Sequence, residues 1–265
     1  MNRSARQPVV LSIAGSDSGG LSGIQADLKT FAALGVHGVT AVTALTAQNS
    51  REVSASRVVS PALLLSQLDA LHADFRIAAV KIGMLGNVAV ARAVAGWLER
   101  TRLRNIVLDP VVVASSGRRL LSAAGLRVLR DRLLPLAMVV TPNVPEIEAL
   151  LACRVADAAD LRGAALALRR SGARAVLLKG GHARGQDTVI HDLYADARGA
   201  REFTHARLPY SARGTGCTLS SAIAAGLAHG RPLRDAVNDA EAYLQRCYRR
   251  ALPVGNGTAR ALVHG

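Results

Sequence analysis

The sequence predicts an α/β fold: a mostly parallel central sheet with helices on both of its faces. Three observations carry this. Short apolar runs alternate along the chain with segments whose apolar residues recur at helical spacing. Hydrophobic residues make up 50% of the 265, ample for a core, yet only 3% are aromatic, so that core must be built from Ala, Leu, Val and Ile. Polar residues, finally, gather just behind the apolar runs, where open α/β sheets bind their ligands.

The elements follow in order. Residues 9–14 read as a buried strand, with a Gly/Ser loop over 15–23 behind it. Residues 24–34 read as a helix, with Ile24, Leu28, Phe31 and Leu34 on one face and Gly35 as its C-cap. Residues 39–45 form a second strand, and Ser60 with Pro61 opens a helix over 61–71 as N-cap and first helical residue. A strand over 78–82, a helix over 88–98 and a strand over 106–108 come next. Residues 120–133 read as largely helical, 137–140 as a strand, and 147–151 and 161–170 as helices. A strand over 175–178 precedes a hairpin of 189–194 with 202–208, and the chain closes on a helix beginning near Cys217 and a last one over 233–250. With neither an internal repeat nor a low-complexity linker, the whole of residues 1–265 is expected to be one domain, its first seven residues flexible.

Composition excludes several function classes. Cysteine occurs at 153, 217 and 247 only, an odd set without disulfide or metal-ligand spacing, which fits a reducing compartment. No apolar run approaches the roughly 18 residues of a membrane span, and the N-terminus carries no convincing cleavage pattern, so a cytoplasmic protein is expected. The net charge of +14 invites a nucleic-acid reading. Its arginines are scattered singly along helix faces, however, without a dense basic run or interleaved aromatics for base stacking. A solvated basic surface that draws anionic small molecules is the better reading, with neither nucleic acid nor membrane as partner. Lysine occurs only at 29, 81 and 179, each in or beside a Gly-containing or apolar segment. A chain that uses arginine for surface charge can reserve lysine for places where a compact ammonium matters.

Chemistry concentrates in Arg213-Gly214-Thr215-Gly216-Cys217, which runs into a helix rich in small residues. A glycine loop opening a helix presents unpaired amides and the positive end of the helix dipole, a combination that binds phosphate. Cys217, in the first turn, is either a thiolate stabilised by that dipole or a small buried filler. Asp17, Gln48, Asp109, Asn143 and Lys179 each follow an apolar strand within a few residues and can converge on the same crevice.

These segments resemble, block by block, the hydroxymethylpyrimidine/phosphomethylpyrimidine kinases of thiamine biosynthesis. The blocks are Ala14-Gly15-Ser16-Asp17-Ser18-Gly19-Gly20 with Gly23-Ile24-Gln25-Ala26-Asp27-Leu28-Lys29-Thr30, Thr43-Ala44-Leu45-Thr46-Ala47-Gln48-Asn49, and Lys81-Ile82-Gly83-Met84-Leu85. Leu108-Asp109-Pro110-Val111, Thr141-Pro142-Asn143-Val144-Pro145-Glu146, Lys179-Gly180-Gly181-His182 and Gly214-Thr215-Gly216-Cys217-Thr218-Leu219-Ser220-Ser221-Ala222 follow in the family's order.

The resemblance implies a ribokinase-like three-layer αβα sandwich, a homodimer, and use of ATP with Mg2+. It implies that Gln48 hydrogen-bonds an aminopyrimidine, that Gly15, Asp27 and Met84 line the same pocket, and that Val111 packs on the ring. It implies that Asn143 and Glu146 lie near magnesium and the phosphates, that Asp109 helps hold the metal, and that Lys179 pairs with phosphate oxygens. Gly214, Thr215 and Gly216 would meet the transferred phosphoryl group, and Cys217 would accept the hydroxymethyl proton where many ribokinase-like enzymes place an aspartate. Two departures stand out: Arg213 replaces the histidine usual before this loop, adding a fixed charge beside the phosphate site, and Leu21-Ser22 replaces the commoner Gly-Ala. The expected function is ATP-dependent phosphorylation of hydroxymethylpyrimidine and of its monophosphate. Pyridoxal kinase on the same scaffold and a non-catalytic pyrimidine-binding protein are the rival readings.

Overall fold

The computed structural model of the chain describes residues 6–112, 120–180 and 188–265. The strands are β1 (Val9–Asp17), β2 (His37–Gln48), β3 (Val53–Val58), β4 (Ile77–Ile82), β5 (Ile106–Leu108), β6 (Val139–Val140), β7 (Val176–Leu178), β8 (Val189–Asp196), β9 (Gly199–Ala206), β10 (Ala212–Arg213), β11 (Leu252–Pro253) and β12 (Arg260–Ala261). The helices are α1 (Gly23–Ala33), α2 (Pro61–Asp74), α3 (Val88–Thr101), α4 (Ala123–Val128), α5 (Val144–Leu151), α6 (Ala158–Arg170), α7 (Thr215–Ala228) and α8 (Leu233–Arg249). Among the described residues, nine strands form one sheet in the order β3-β2-β1-β4-β5-β6-β7-β8-β9. The run from β2 to β7 is parallel, and β3, β8 and β9 add antiparallel edges.

Alternation along the parallel strands builds two cores. In β1, Leu11 and Ile13 face one layer while Val10 faces the other, and all three are fully buried. The same split separates Val80 and Ile82 from Ala79, and Ile106 and Leu108 from Val107. One core takes Leu64 and Leu68 of α2, Trp97 of α3, Ile147 of α5 and Leu168 of α6. The other takes Phe31 of α1, Leu219 and Ile223 of α7, and Val237 and Tyr243 of α8. The result is the expected three-layer sandwich.

Local differences from the sequence reading have physical causes. β3 falls in a segment that the sequence reading assigns no element; it is an edge strand with exposed Ser54, Ala55 and Arg57, so it lacks an apolar signature. The helical stretch expected over 120–133 is present from Ala123 to Leu133, but it changes type on the way. Ser122 caps α4 through the Gly125 amide, and the chain then passes through a π turn at Leu129–Leu133 and a 3-10 turn at Leu134–Leu136. Pro135 lacks the amide hydrogen that a continuing helix would need. α5 starts earlier than expected, because Pro145 sits in its first turn, where proline is tolerated. A small sheet, β10-β12-β11, also escaped sequence reading, its strands being two residues each. None of the helices among the described residues is long and apolar enough to cross a membrane.

β1 is paired with β2 on one side and β4 on the other, so the strand order reverses there. A crevice outside the carboxyl ends of β1, β4 and their neighbours is where such a sheet accepts a ligand.

Candidate active site

The start of α7 stands at this crevice. Gly214 is its N-cap, with φ +79°, a left-handed conformation that favours glycine. A Cβ on Gly214 would overlap the Leu21 carbonyl oxygen, so the loop after β1 and the loop before α7 are packed backbone to backbone. Among the described residues no side chain caps α7. The amides of Thr215, Gly216 and Cys217 therefore lack intrahelical acceptors, and they add to the positive end of the dipole. An anion is the natural ligand.

Opposite these amides lie two charged side chains from different strands. Lys179, just after β7, donates to Asp109 Oδ1 at 3.1 Å, and both are largely buried, at 16% and 3% side-chain exposure. A Cβ on Gly216 would sit 3.0 Å from Lys179 Nζ and 3.5 Å from Asp109 Oδ2, so the helix start and the ion pair are in contact. Thr141 Oγ1 donates to Asp109 Oδ1 at 3.3 Å. Burial pulls the Lys179 pKa down, but Asp109 and then Glu146 outweigh it, and the lysine stays charged.

Asn143 and Glu146 form a capping box on α5. The Glu146 amide donates to Asn143 Oδ1 at 3.0 Å, and the Asn143 amide donates to Glu146 Oε2 at 2.8 Å. A backbone bridge between Asn143 and Lys179 places this box beside the lysine. Burial pushes the Glu146 carboxyl up to about 7, with Lys179 opposing and Asp109 reinforcing the shift. Two nearly buried carboxylates, Asp109 and Glu146, flank one lysine. That donor set fits a magnesium ion, which binds through one or two carboxylates and keeps waters and phosphate oxygens in its other positions.

Cys217 departs from the expected thiolate. Burial is the largest influence on its sulfur and pushes the thiol up to about 11. Lys81 and the Gly23 amide favour the thiolate but do not overcome that burial, while Asp27 and Asp109 disfavour it. At neutral pH the resting protein carries a protonated thiol.

Asp27 is a second correction. It was expected to line the substrate pocket, yet it has no exposed surface. Its carboxylate takes Lys81 Nζ at 2.9 Å to each oxygen, Ser221 Oγ at 2.8 Å and Ser12 Oγ at 2.5 Å. It stands behind the site, tying β1, β4, α1 and α7 together. The Lys81 ammonium is equally buried; burial lowers its pKa, but Asp27 reverses the shift and keeps it charged. Sequence reasoning assigned Lys81, Ser12 and Ser221 no role. The scarcity of lysine was the one signal that pointed at Lys81.

The remaining expected residues fall into two groups. Gly15 and Met84 are neighbours at the ends of β1 and β4: a Cβ on Gly15 would sit 2.5 Å from Met84 Cε. Thr43 Oγ1 donates to the Met84 carbonyl at 2.6 Å and fixes that turn. Val111, two residues past Asp109, is half-buried. Gln48, at the end of β2, donates from Nε2 to Asp17 Oδ2 at 3.1 Å. Asp17 also accepts from the amides of Gly19, Leu21 and Ser22 and from Ser22 Oγ, and so winds the loop that Gly214 packs on. Arg213, in β10, donates from Nη2 to the Arg51 carbonyl at 3.2 Å and thereby touches the β2–β3 turn. Gly181 and His182 of the expected lysine block lie outside the described residues.

Comparison with known proteins places this geometry among kinases. The family model described as phosphomethylpyrimidine kinase matches residues 17–261. The hydroxymethylpyrimidine/phosphomethylpyrimidine kinase of Rhizobium meliloti is 47% identical over 263 residues, covering 97% of this chain and 96% of that protein. The thiamine biosynthesis bifunctional protein ThiED of Geobacter sulfurreducens is also 47% identical, across 94% of this chain, which spans only 50% of that longer protein. Among solved structures, the phosphomethylpyrimidine kinase of Clostridium difficile 630 superposes with a TM-score of 0.81 at 34% identity, over 90% of this chain and 98% of that one. The pyridoxal kinase of Staphylococcus aureus, in complex with pyridoxal, superposes with a TM-score of 0.89 at 31% identity, over 98% of this chain and 94% of that one. The match runs from the end of β1 through α7 to β12 and so takes in both edges of the crevice, and the chain belongs to the phosphomethylpyrimidine kinase family.

Proposed function

We propose that this protein phosphorylates the hydroxymethyl group of 4-amino-5-hydroxymethyl-2-methylpyrimidine from ATP, and then phosphorylates the monophosphate. One observation carries the reading: the uncapped start of α7 stands in contact with the Lys179–Asp109 pair. Phosphoryl transfer asks for positioning and charge neutralisation more than for covalent chemistry from the protein. The Thr215–Cys217 amides meet charge on the transferred group, and Lys179 neutralises phosphate oxygens as a point charge. Magnesium, held by Glu146 and Asp109 with Asn143 beside it, would supply further neutralisation of the phosphates. The acceptor oxygen bonds to the γ-phosphorus as the bond to the bridging oxygen breaks, and its proton goes to Cys217 Sγ in the thiolate form. Gly15, Met84 and Val111 shape the ring pocket, with Gln48 as the polar contact once it leaves Asp17. The family resemblance also favours a cytoplasmic homodimer.

The high structural similarity to pyridoxal kinases supports one rival, because pyridoxal also carries a ring hydroxymethyl group. Product analysis by mass spectrometry with hydroxymethylpyrimidine and MgATP tests the main reading. Monophosphate followed by diphosphate is expected. Monophosphate alone removes the second step, and no product, with rapid turnover of pyridoxal in parallel, transfers the assignment to the rival.

A further inference from the structure

A second cluster of chemistry-bearing residues lies outside the kinase crevice. Asp192 of β8, His205 of β9 and Glu241 of α8 bring one ligand atom each within 4.8 Å of the others. All three are nearly enclosed, and Glu241 is only 2% exposed. Among the described residues, neither of the two buried Glu241 carboxylate oxygens has a hydrogen-bond partner. A buried carboxylate in that state is strongly disfavoured unless a cation meets it.

The distances suit an ion. His205 Nε2 lies 3.1 Å from Glu241 Oε2, at ion-pair distance but without hydrogen-bond geometry, and 3.7 Å from Asp192 Oδ2. Ligands about 2.0–2.2 Å from a tetrahedral metal stand about 3.3–3.6 Å apart, which brackets the middle of this range. Asp192 Oδ1 is occupied by the Gly180 amide at 2.7 Å, which leaves Oδ2 for the ion and orients it from outside. We propose that Asp192, His205 and Glu241 bind one divalent transition-metal ion of the zinc class, with water completing its coordination.

Charge argues the same way. Two carboxylates and a neutral imidazole around a divalent ion sum to zero, whereas the same carboxylates with an imidazolium keep a net negative charge in the interior. The ion would fasten the β8–β9 hairpin to α8. Through the Gly180 amide it would steady the strand end that carries Lys179.

The test titrates the full chain with Zn2+ and with Co2+ in excess Mg2+, which competes for the proposed kinase site. One equivalent of Co2+ is expected to bind with visible d–d bands but without thiolate-to-cobalt charge transfer, which excludes Cys153, Cys217 and Cys247. One equivalent of Zn2+ is expected to raise the thermal midpoint. Glu241→Gln and His205→Gln are each expected to weaken Zn2+ binding at least about ten-fold. Failure of the unmodified protein to take up an equivalent, a thiolate charge-transfer band, or unchanged affinity in both folded variants overturns the proposal. Should neither variant fold, the cobalt spectrum of the unmodified protein decides alone.

Discussion

At neutral pH Cys217 holds its proton, because burial of the sulfur outweighs the favourable start of α7, the Gly23 amide and the Lys81 ammonium. In the proposed role of base it would work through a minor thiolate population. With hydroxymethylpyrimidine as acceptor, kcat/KM is therefore expected to climb with pH between about 7.5 and 9.5, since this parameter reports the free enzyme's ionisations. Cys217→Ala is expected to lower kcat by about 10²–10⁴-fold and to flatten that climb, while nucleotide binding survives. A flat profile in the unmodified enzyme, or full turnover by the variant, removes the thiol from proton transfer. Glu146 is shifted in the same direction, an acid held up at about 7 by burial. Its folded value lies above the ordinary carboxyl value of 4.5, so the folded chain holds this proton more tightly than the unfolded chain does. The stability it contributes is present below the unfolded value and is lost as pH rises through about 7. Glutamine at 146 keeps a capping-box acceptor without the charge. Glu146→Gln is thus expected to match the parent in urea unfolding near pH 4, to exceed it by about 1–3 kcal/mol near pH 8 in the absence of Mg2+, and to lose most turnover. Equal stabilities at pH 8 would contradict the buried-carboxylate account.

At the scale of elements, two glycines of one turn do different work. Gly214 needs its left-handed backbone and its contact with the Leu21 carbonyl, so Gly214→Ala strains the turn and separates it from the loop after β1. Gly216 lies within α7 proper, where alanine is a better helix former by up to about 1 kcal/mol. Its new methyl would stand 3.0 Å from Lys179 Nζ, in the space an anion needs. Gly214→Ala is expected to lower both the thermal midpoint and activity. Gly216→Ala is expected to keep or raise the midpoint while activity falls, measured by thermal denaturation and steady-state kinetics on the same preparations. Parallel loss of stability in both would mean that Gly216 matters for folding and not for the anion. The contrast also marks how far the sequence was legible. Strand ends such as Asp109, Asn143 and Lys179 could be located from apolar runs, because parallel-sheet order delivers those ends to one side. Asp27 could not be placed, since its partner Lys81 is 54 residues away and only packing reveals that the pair is sealed. The Cys217 position was legible, but its protonation was not, because burial is a property of the folded layers. β3 was missed for want of an apolar face, and the change from α to π geometry at Leu129 within the 120–133 helix left no mark in the sequence.

For the whole molecule, the net charge of +14 has a kinetic consequence that differs between the two acceptors. A surplus of positive charge raises the local concentration of anions and leaves neutral molecules unaffected. Hydroxymethylpyrimidine carries no phosphate, whereas its monophosphate arrives as an anion. At about 10 mM ionic strength the screening length is about 30 Å, comparable with the dimensions of the protein, and near 150 mM it shrinks to about 8 Å. Raising NaCl over that range, at saturating MgATP, is therefore expected to lower kcat/KM several-fold for the monophosphate and to leave it nearly unchanged for the alcohol. Because both reactions share ATP, the crevice and the catalytic residues, the ratio of the two isolates attraction of the acceptor from any effect on the nucleotide. Arg213, on β10 beside the anion cradle, supplies a local share of that field. Arg213→Gln is expected to reduce the salt sensitivity of the monophosphate reaction without abolishing it, since the remaining surplus is spread over the chain. Equal salt dependence for both acceptors would assign the field to nucleotide capture alone.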